Sequence, residues 1–104
     1  TEDIAGLAHL YTNMGVMFFD INLDSSLYYH STALDFYKSV EKSINVGVSQ
    51  SFVADIFREK GDFDTALNYY SEAIKILQTE SYIYGEVVAQ TGLGILHRRM
   101  QNYQ

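Results

Sequence analysis

Apolar residues in the second half of the chain recur at helical spacing. Between Phe63 and Leu77 they follow one another at short intervals, and the positions are Phe63, Ala66, Leu67, Tyr70, Ala73, Ile74 and Leu77. Because an α-helix completes a turn in about 3.6 residues, these side chains form a stripe along one side of a helix. The pattern predicts an amphipathic helix with one buried face.

A closely related pattern lies earlier in the chain. A shift of 40 places Leu23, Asp24, Ser26, Leu27, Tyr29, His30, Ala33, Leu34 and Tyr37 over Phe63, Asp64, Ala66, Leu67, Tyr69, Tyr70, Ala73, Ile74 and Leu77. The same shift aligns the segment that begins at Val48 with the segment that begins at Val88, and for the first helix a shift of 39 pairs Gly15 with Ala54. A fixed period of this length indicates a repeated structural unit.

The sequence predicts an all-α fold. Proline is absent, and alternating β-branched runs around Asn-Gly turns are missing as well. Five helices are expected at residues 2–20, 24–41, 45–60, 64–79 and 81–100, and their short connections should make neighbouring helices antiparallel. Gly61 suits a left-handed cap and Asn22 is the next-best residue for one, whereas Asp24 and Asp64 are the expected N-caps.

The middle copy resembles the tetratricopeptide repeat. The residues that carry the resemblance are Ala54, Phe57, the turn Gly61-Asp62-Phe63, and Ala66, Tyr70 and Ala73. The resemblance implies an α-solenoid of two and a half repeats, at about 7–44, 45–84 and 85–104. The period exceeds the usual length of about 34 residues and the closing proline is missing, so the chain is most similar to the long-repeat variety of regulatory and signalling proteins, including bacterial ones.

An array of this kind usually needs at least three repeats. We therefore expect the chain to be a segment of a longer array. The fifth helix should then leave its apolar side without a partner and allow self-association through that side, which carries Leu93, Leu96, His97 and Met100.

Composition narrows the functional classes. The 104 residues are 47% hydrophobic, enough for a packed core, and carry a net charge of −6, which argues against nucleic acid and anionic membranes as partners. Absence of cysteine excludes disulfides and thiolate metal sites and is typical of cytoplasmic proteins. No apolar run reaches the roughly 18 residues of a membrane-spanning helix.

Nothing in the sequence predicts catalysis, a metal site or a cofactor. His9, His30 and His97 fall on three different predicted helices and lack metal-binding spacing. His30 and His97 align with aromatic residues of the neighbouring copies, so both are expected in the core.

In the resembled family, the first helix of each repeat lines a concave groove. The expected groove residues are His9, Thr12, Val16, Phe19 and Asp20 in the first copy, Val48, Ser51, Asp55, Arg58 and Glu59 in the second, and Val88, Thr91, Ile95, Arg98 and Arg99 in the third. An equally good interpretation treats these as solvated side chains without a ligand.

Two functional hypotheses follow. One is a noncatalytic protein-interaction module that binds a peptide or helix in the groove. The other is a sensor domain that binds a peptide or metabolite and controls an attached output domain, such as a kinase, cyclase or DNA-binding unit.

Overall fold

Five α-helices make up the fold in the computed structural model, which describes residues 3–103. They are α1 (Ile4–Phe18), α2 (Leu23–Ser39), α3 (Ser43–Lys60), α4 (Phe63–Thr79) and α5 (Ile83–Gln101). No strand occurs among these residues, so the predicted all-α class and number of helices are confirmed. The predicted start of the first helix, Glu2, and the predicted end of the last repeat, Gln104, lie outside the described residues.

The N-caps of α2 and α4 differ from the predicted ones. Asn22 and Asp62 hold these positions, and the side chain of each accepts a hydrogen bond from the backbone N–H three residues later, at 3.0 and 3.3 Å. Asp24 and Asp64, predicted as caps, lie instead in the first helical turn. A carboxylate there still interacts favourably with the partial positive charge of the helix N-terminus.

The predicted left-handed cap is correct at Gly61 and wrong at Asn22. Gly61 has φ of 86°, and the following N–H of Asp62 bonds the carbonyl of Phe57 at 2.9 Å, which closes α3. Asn22 has φ of −155°, an extended conformation. The reason is the longer α1–α2 connection, in which a turn at residues 19–21 precedes Asn22 and leaves it to begin α2.

The ends of α2 and α4 are alike. Glu41 and Ser81 both adopt left-handed conformations, with φ of 55° and 56°, and the shift of 40 that relates the sequence copies also relates these two residues. The N–H after each bonds a carbonyl near the end of the helix, Lys42 to Tyr37 at 3.1 Å and Tyr82 to Leu77 at 2.9 Å. The same shift carries both limits of α2 onto those of α4, so the sequence period recurs in the helix boundaries.

The hydrophobic core lies between helices that follow one another along the chain and between α3 and α5. Each helix packs against the next one along the chain, and α3 in addition packs against α5, whereas α1 and α3 have no comparable contact. The predicted stripe of α4 is confirmed, with Ala66, Tyr70, Ala73 and Leu77 completely buried. α3 is surrounded by α2, α4 and α5 and is the most thoroughly buried helix. No helix among the described residues is long and apolar enough to cross a membrane.

The expectation that α5 leaves its apolar side without a partner is wrong. Leu96 is fully buried, and Leu93 and Met100 pack with it against the cluster that contains Ala54. They are covered because α5 lies on both α3 and α4. The exposed apolar residues of α5 are near its start instead, at Ile83, Tyr84, Val87 and Val88.

Candidate functional site

A cavity of about 220 Å³ lies at the junction of α1, α2 and α3. We call it the α1–α3 cavity. Its lining residues are Val16 of α1, Phe19 and Asp20 of the following turn, His30 of α2, and Phe52 and Asp55 of α3. Four of these were predicted as groove residues, namely Val16, Phe19, Asp20 and Asp55.

Aromatic rings form much of the wall. The imidazole of His30 stacks on the ring of Phe52, with ring centroids 4.6 Å apart and an interplanar angle of 19°. The opposite helix makes room for this histidine through Gly15, where an added Cβ would lie 2.6 Å from Cδ2 and Nε2 of His30. Close by, Oγ of Ser26 donates a hydrogen bond to the carbonyl of Gly15 at 2.7 Å, which holds α2 against α1. The absence of a side chain at Gly15 therefore allows the His30 ring to lie at the cavity.

His30 is a neutral, incompletely bonded side chain. It is 1% exposed, and burial lowers its pKa from 6.5 to about 4. Its Nδ1 is buried without a hydrogen-bond partner. A buried polar atom in this state has lost its hydrogen bonds with water and gained none within the protein in return, which carries a cost in stability.

The neighbouring junction between α3, α4 and α5 is filled by an arginine. Arg58 donates from Nη1 to the hydroxyl of Tyr70 at 2.7 Å, to Oδ1 of Asp55 at 3.1 Å and to the carbonyl of Gly92 at 3.4 Å. Tyr70 also donates to Asp55. Burial raises the pKa of the Asp55 carboxyl and that of the Tyr70 hydroxyl, so the hydroxyl stays protonated at neutral pH.

Glu59 extends this network toward the surface. Its Oε2 accepts from Nε of Arg58 at 3.1 Å and forms a salt bridge with Arg99 of α5. We call Asp55, Arg58, Glu59, Tyr70 and Arg99 the arginine network. It ties α3, α4 and α5 together through charge-assisted hydrogen bonds, which are stronger than neutral ones; the bond between Arg58 and Tyr70 is buried, whereas the one between Arg99 and Glu59 is exposed.

The α1–α3 cavity and the arginine network involve residues that the two sequence shifts align. A shift of 39 pairs Val16 with Asp55 and Phe19 with Arg58, and a shift of 40 pairs His30 with Tyr70 and Phe52 with Gly92. The first junction therefore has Val16 and Phe19 where the second has Asp55 and Arg58, and it has an open cavity there. His30 and Phe52 were not predicted as site residues, although applying the two shifts to the arginine network identifies them.

The other predicted groove residues are dispersed. Ser51 and Arg58 are buried, at 4% and 8% exposed, because α5 packs along this side of α3. Val48 packs against the cluster around Leu77, and Thr12 donates from Oγ1 to a carbonyl of its own helix. The remaining positions are exposed or half-buried, at His9, Val88, Thr91, Ile95 and Arg98.

The three histidines lie in different surroundings. His30 is buried as predicted, whereas the prediction of a buried His97 is wrong, because that side chain points away from the α3–α4 surface and is exposed. His9 lies edge-on to the ring of Tyr37, with centroids 5.7 Å apart. Within residues 3–103, no three His, Cys, Asp or Glu side chains come together in a group that could hold a metal ion.

A second and larger depression, of about 540 Å³, has a different character. It is lined by Lys38, Gln50, Asn68, Tyr69, Ser71, Glu72 and Lys75, and one buried polar atom there, Oε1 of Gln50, has no partner. None of the predicted groove residues lines it. Most of its lining residues are polar side chains at the surface, so polar atoms form a larger share of its wall than in the α1–α3 cavity, whose wall is mainly apolar. The α1–α3 cavity is therefore the better candidate.

Comparison with protein-family models and with curated proteins gave no match to this chain.

Proposed function

We propose that the chain is a noncatalytic protein-interaction module that holds a peptide or helix by inserting one of its side chains into the α1–α3 cavity. The observation that carries the proposal is the cavity itself, which combines apolar and aromatic walls with carboxylates at Asp20 and Asp55. Its volume of about 220 Å³ is smaller than the roughly 300–1,000 Å³ of sites for drug-sized molecules. A single large side chain of a partner suits this size.

The resemblance to tetratricopeptide repeats supports the same function. Helix ends that recur with the period of the sequence are what stacked hairpins require, and stacked hairpins present extended concave surfaces to their partners. We propose that the chain is one of the long-repeat modules of cytoplasmic regulatory or signalling proteins.

Two neighbouring residues of α1 allow a matched test. Val16 lines the cavity and Met17 does not, and both are well exposed, at 52% and 67%. Peptides selected by display on the wild-type chain should lose most of their affinity for Val16→Glu, because the new carboxylate would occupy the cavity entrance. They should bind Met17→Glu as they bind the wild type.

Each outcome of this test is decisive. Peptides that bind the wild type and Met17→Glu but not Val16→Glu support the proposal. Equal binding to all three proteins, or a selection that yields no binding peptide, refutes it. Circular dichroism spectra of the variants establish that they are folded before binding is compared.

The sensor hypothesis is the second candidate, and it is favoured by the position of the cavity. The cavity lies between α1 and α3, two helices that lack the direct packing seen between α3 and α5. An occupant would therefore change the angle between them at low cost. Small-angle scattering tests this, since a selected peptide should change the radius of gyration of the chain if the site controls shape, and leave it unchanged if the site only binds.

A further inference from the structure

We propose that the side chain received by the α1–α3 cavity is an arginine of the partner. This inference rests on the proposed function and adds the chemistry of the ligand. It comes from the internal comparison between the two junctions, from the charge at the cavity rim and from the aromatic residues of the wall.

The chain contains its own example of an arginine at this place in the repeat. In the second junction the guanidinium of Arg58 lies among a hydroxyl, a carboxylate and a backbone carbonyl, all within hydrogen-bonding distance. The first junction has Phe19 where the second has Arg58, and its cavity is lined by the equivalents of the network residues. A guanidinium from a partner would therefore lie at the position in the first junction that corresponds to the position of Arg58 in the second.

The charge of the cavity favours a cation. Asp20 is an exposed carboxylate at the rim, and it forms no salt bridge with any part of the chain between residues 3 and 103. Asp55 stands on the other side of the cavity and shares its charge with Arg58. No lysine or arginine lines the cavity, and the chain as a whole carries −6. A cationic side chain would offset this excess of negative charge.

The remaining wall fits a guanidinium better than an ammonium group. An arginine presents a flat cation that stacks on aromatic rings, and Phe19 and Phe52 both line the cavity. Its several N–H donors can bond more than one acceptor at once, and the carboxylates of Asp20 and Asp55 both line the cavity. A lysine has the charge but lacks the planar fork.

The test uses five capped tripeptides of the form Ala-X-Ala. X is arginine, citrulline, lysine, norleucine or phenylalanine. Binding is followed by NMR through the imidazole resonances of His30 and the ring resonances of Phe52. Citrulline keeps the shape of arginine without its charge, so it isolates the charge-assisted hydrogen bonds, and we expect the arginine peptide to bind about tenfold more tightly than the citrulline peptide.

A pair of charge-neutralising variants locates the effect. Asp20→Asn should weaken the arginine peptide about fivefold and leave the norleucine peptide unchanged. Asp35→Asn is the matched control, because Asp35 is exposed on α2 and does not line the cavity, and it should leave both affinities at their wild-type values.

The outcomes separate this inference from the function on which it rests. If norleucine or phenylalanine peptides shift the His30 and Phe52 resonances as strongly as the arginine peptide, the cavity binds side chains but the preference for arginine is wrong. If no peptide shifts these resonances, both the preference and the use of the cavity are wrong. An arginine preference that survives Asp20→Asn unchanged also overturns the inference.

Discussion

Two glycines of α5 provide a sharp test of the packing between α3, α4 and α5. An added Cβ at Gly92 would lie 2.7 Å from Cε1 and Oη of Tyr70 and 2.9 Å from Oδ1 of Asp55. At Gly94 an added Cβ would meet no atom within 4 Å. Both glycines are inside the same helix, so replacement by alanine gives each the same gain in helix propensity.

The expected effects have opposite signs. Gly94→Ala should stabilise the chain by about 0.5–1 kcal/mol, the cost of a glycine within a helix. Gly92→Ala has the same gain, but it must displace a Tyr70 ring that is fully buried and hydrogen-bonded to Arg58 and Asp55. Overpacking of this kind costs about 1–3 kcal/mol, so the two variants should differ in their free energy of unfolding by that amount.

Urea denaturation followed by far-UV circular dichroism measures this difference. For a chain of this size each kcal/mol corresponds to about 4–8 °C in Tm, so thermal unfolding provides an independent check. The two variants should show the same m-value. An equal stabilisation of both variants would refute the close contact between α5 and Tyr70, and with it the description of the arginine network.

Three further predictions concern pH, backbone strain and association. Folding lowers the pKa of His30 from 6.5 to about 4, so the free energy of unfolding is highest above pH 6.5 and declines as the pH falls and the unfolded chain takes up a proton. In urea titrations between pH 7 and 5, the wild type should lose about 2 kcal/mol more of its free energy of unfolding than His30→Phe does. Parallel curves for the two proteins would contradict this. Gly61→Ala should cost about 1 kcal/mol through its φ of 86° alone, since nothing lies near its added Cβ, and an unchanged Tm would show that this strain is absent. We propose that the exposed apolar residues of α5 mediate self-association; sedimentation velocity should then show concentration-dependent assembly that Val87→Glu abolishes and Met17→Glu retains, whereas a monomer at all concentrations would refute it.

The sequence predicted those parts of the fold that depend on local periodicity. The stripe of α4 and the number of helices follow from apolar spacing, which neighbouring residues determine on their own. The caps were harder to predict. Asp62 and Asp64 are both suitable cap residues, and only the length of the preceding turn decides which of them begins the helix. For the same reason Asn22 became an N-cap.

The candidate site was predicted only in part, because it depends on fit between helices. The sequence indicated Val16 and Asp55, which lie on the expected side of α1 and α3. It did not indicate that Phe52, in the place of Gly92, would stack on His30. α5 was misjudged for a related reason. Apolar residues occur on more than one of its sides, and the sequence alone does not say which side α3 and α4 cover.

The arginine network also has a consequence for how the chain opens. It locks three helices together, whereas α1 is held mainly by α2 and leaves Leu10, Val16 and Met17 in water. Opening free energies differ between parts of a protein according to such contacts. Amide protons of α1 should therefore exchange with deuterium well before those of α3, because the amino-terminal helix detaches while the helices after it stay folded.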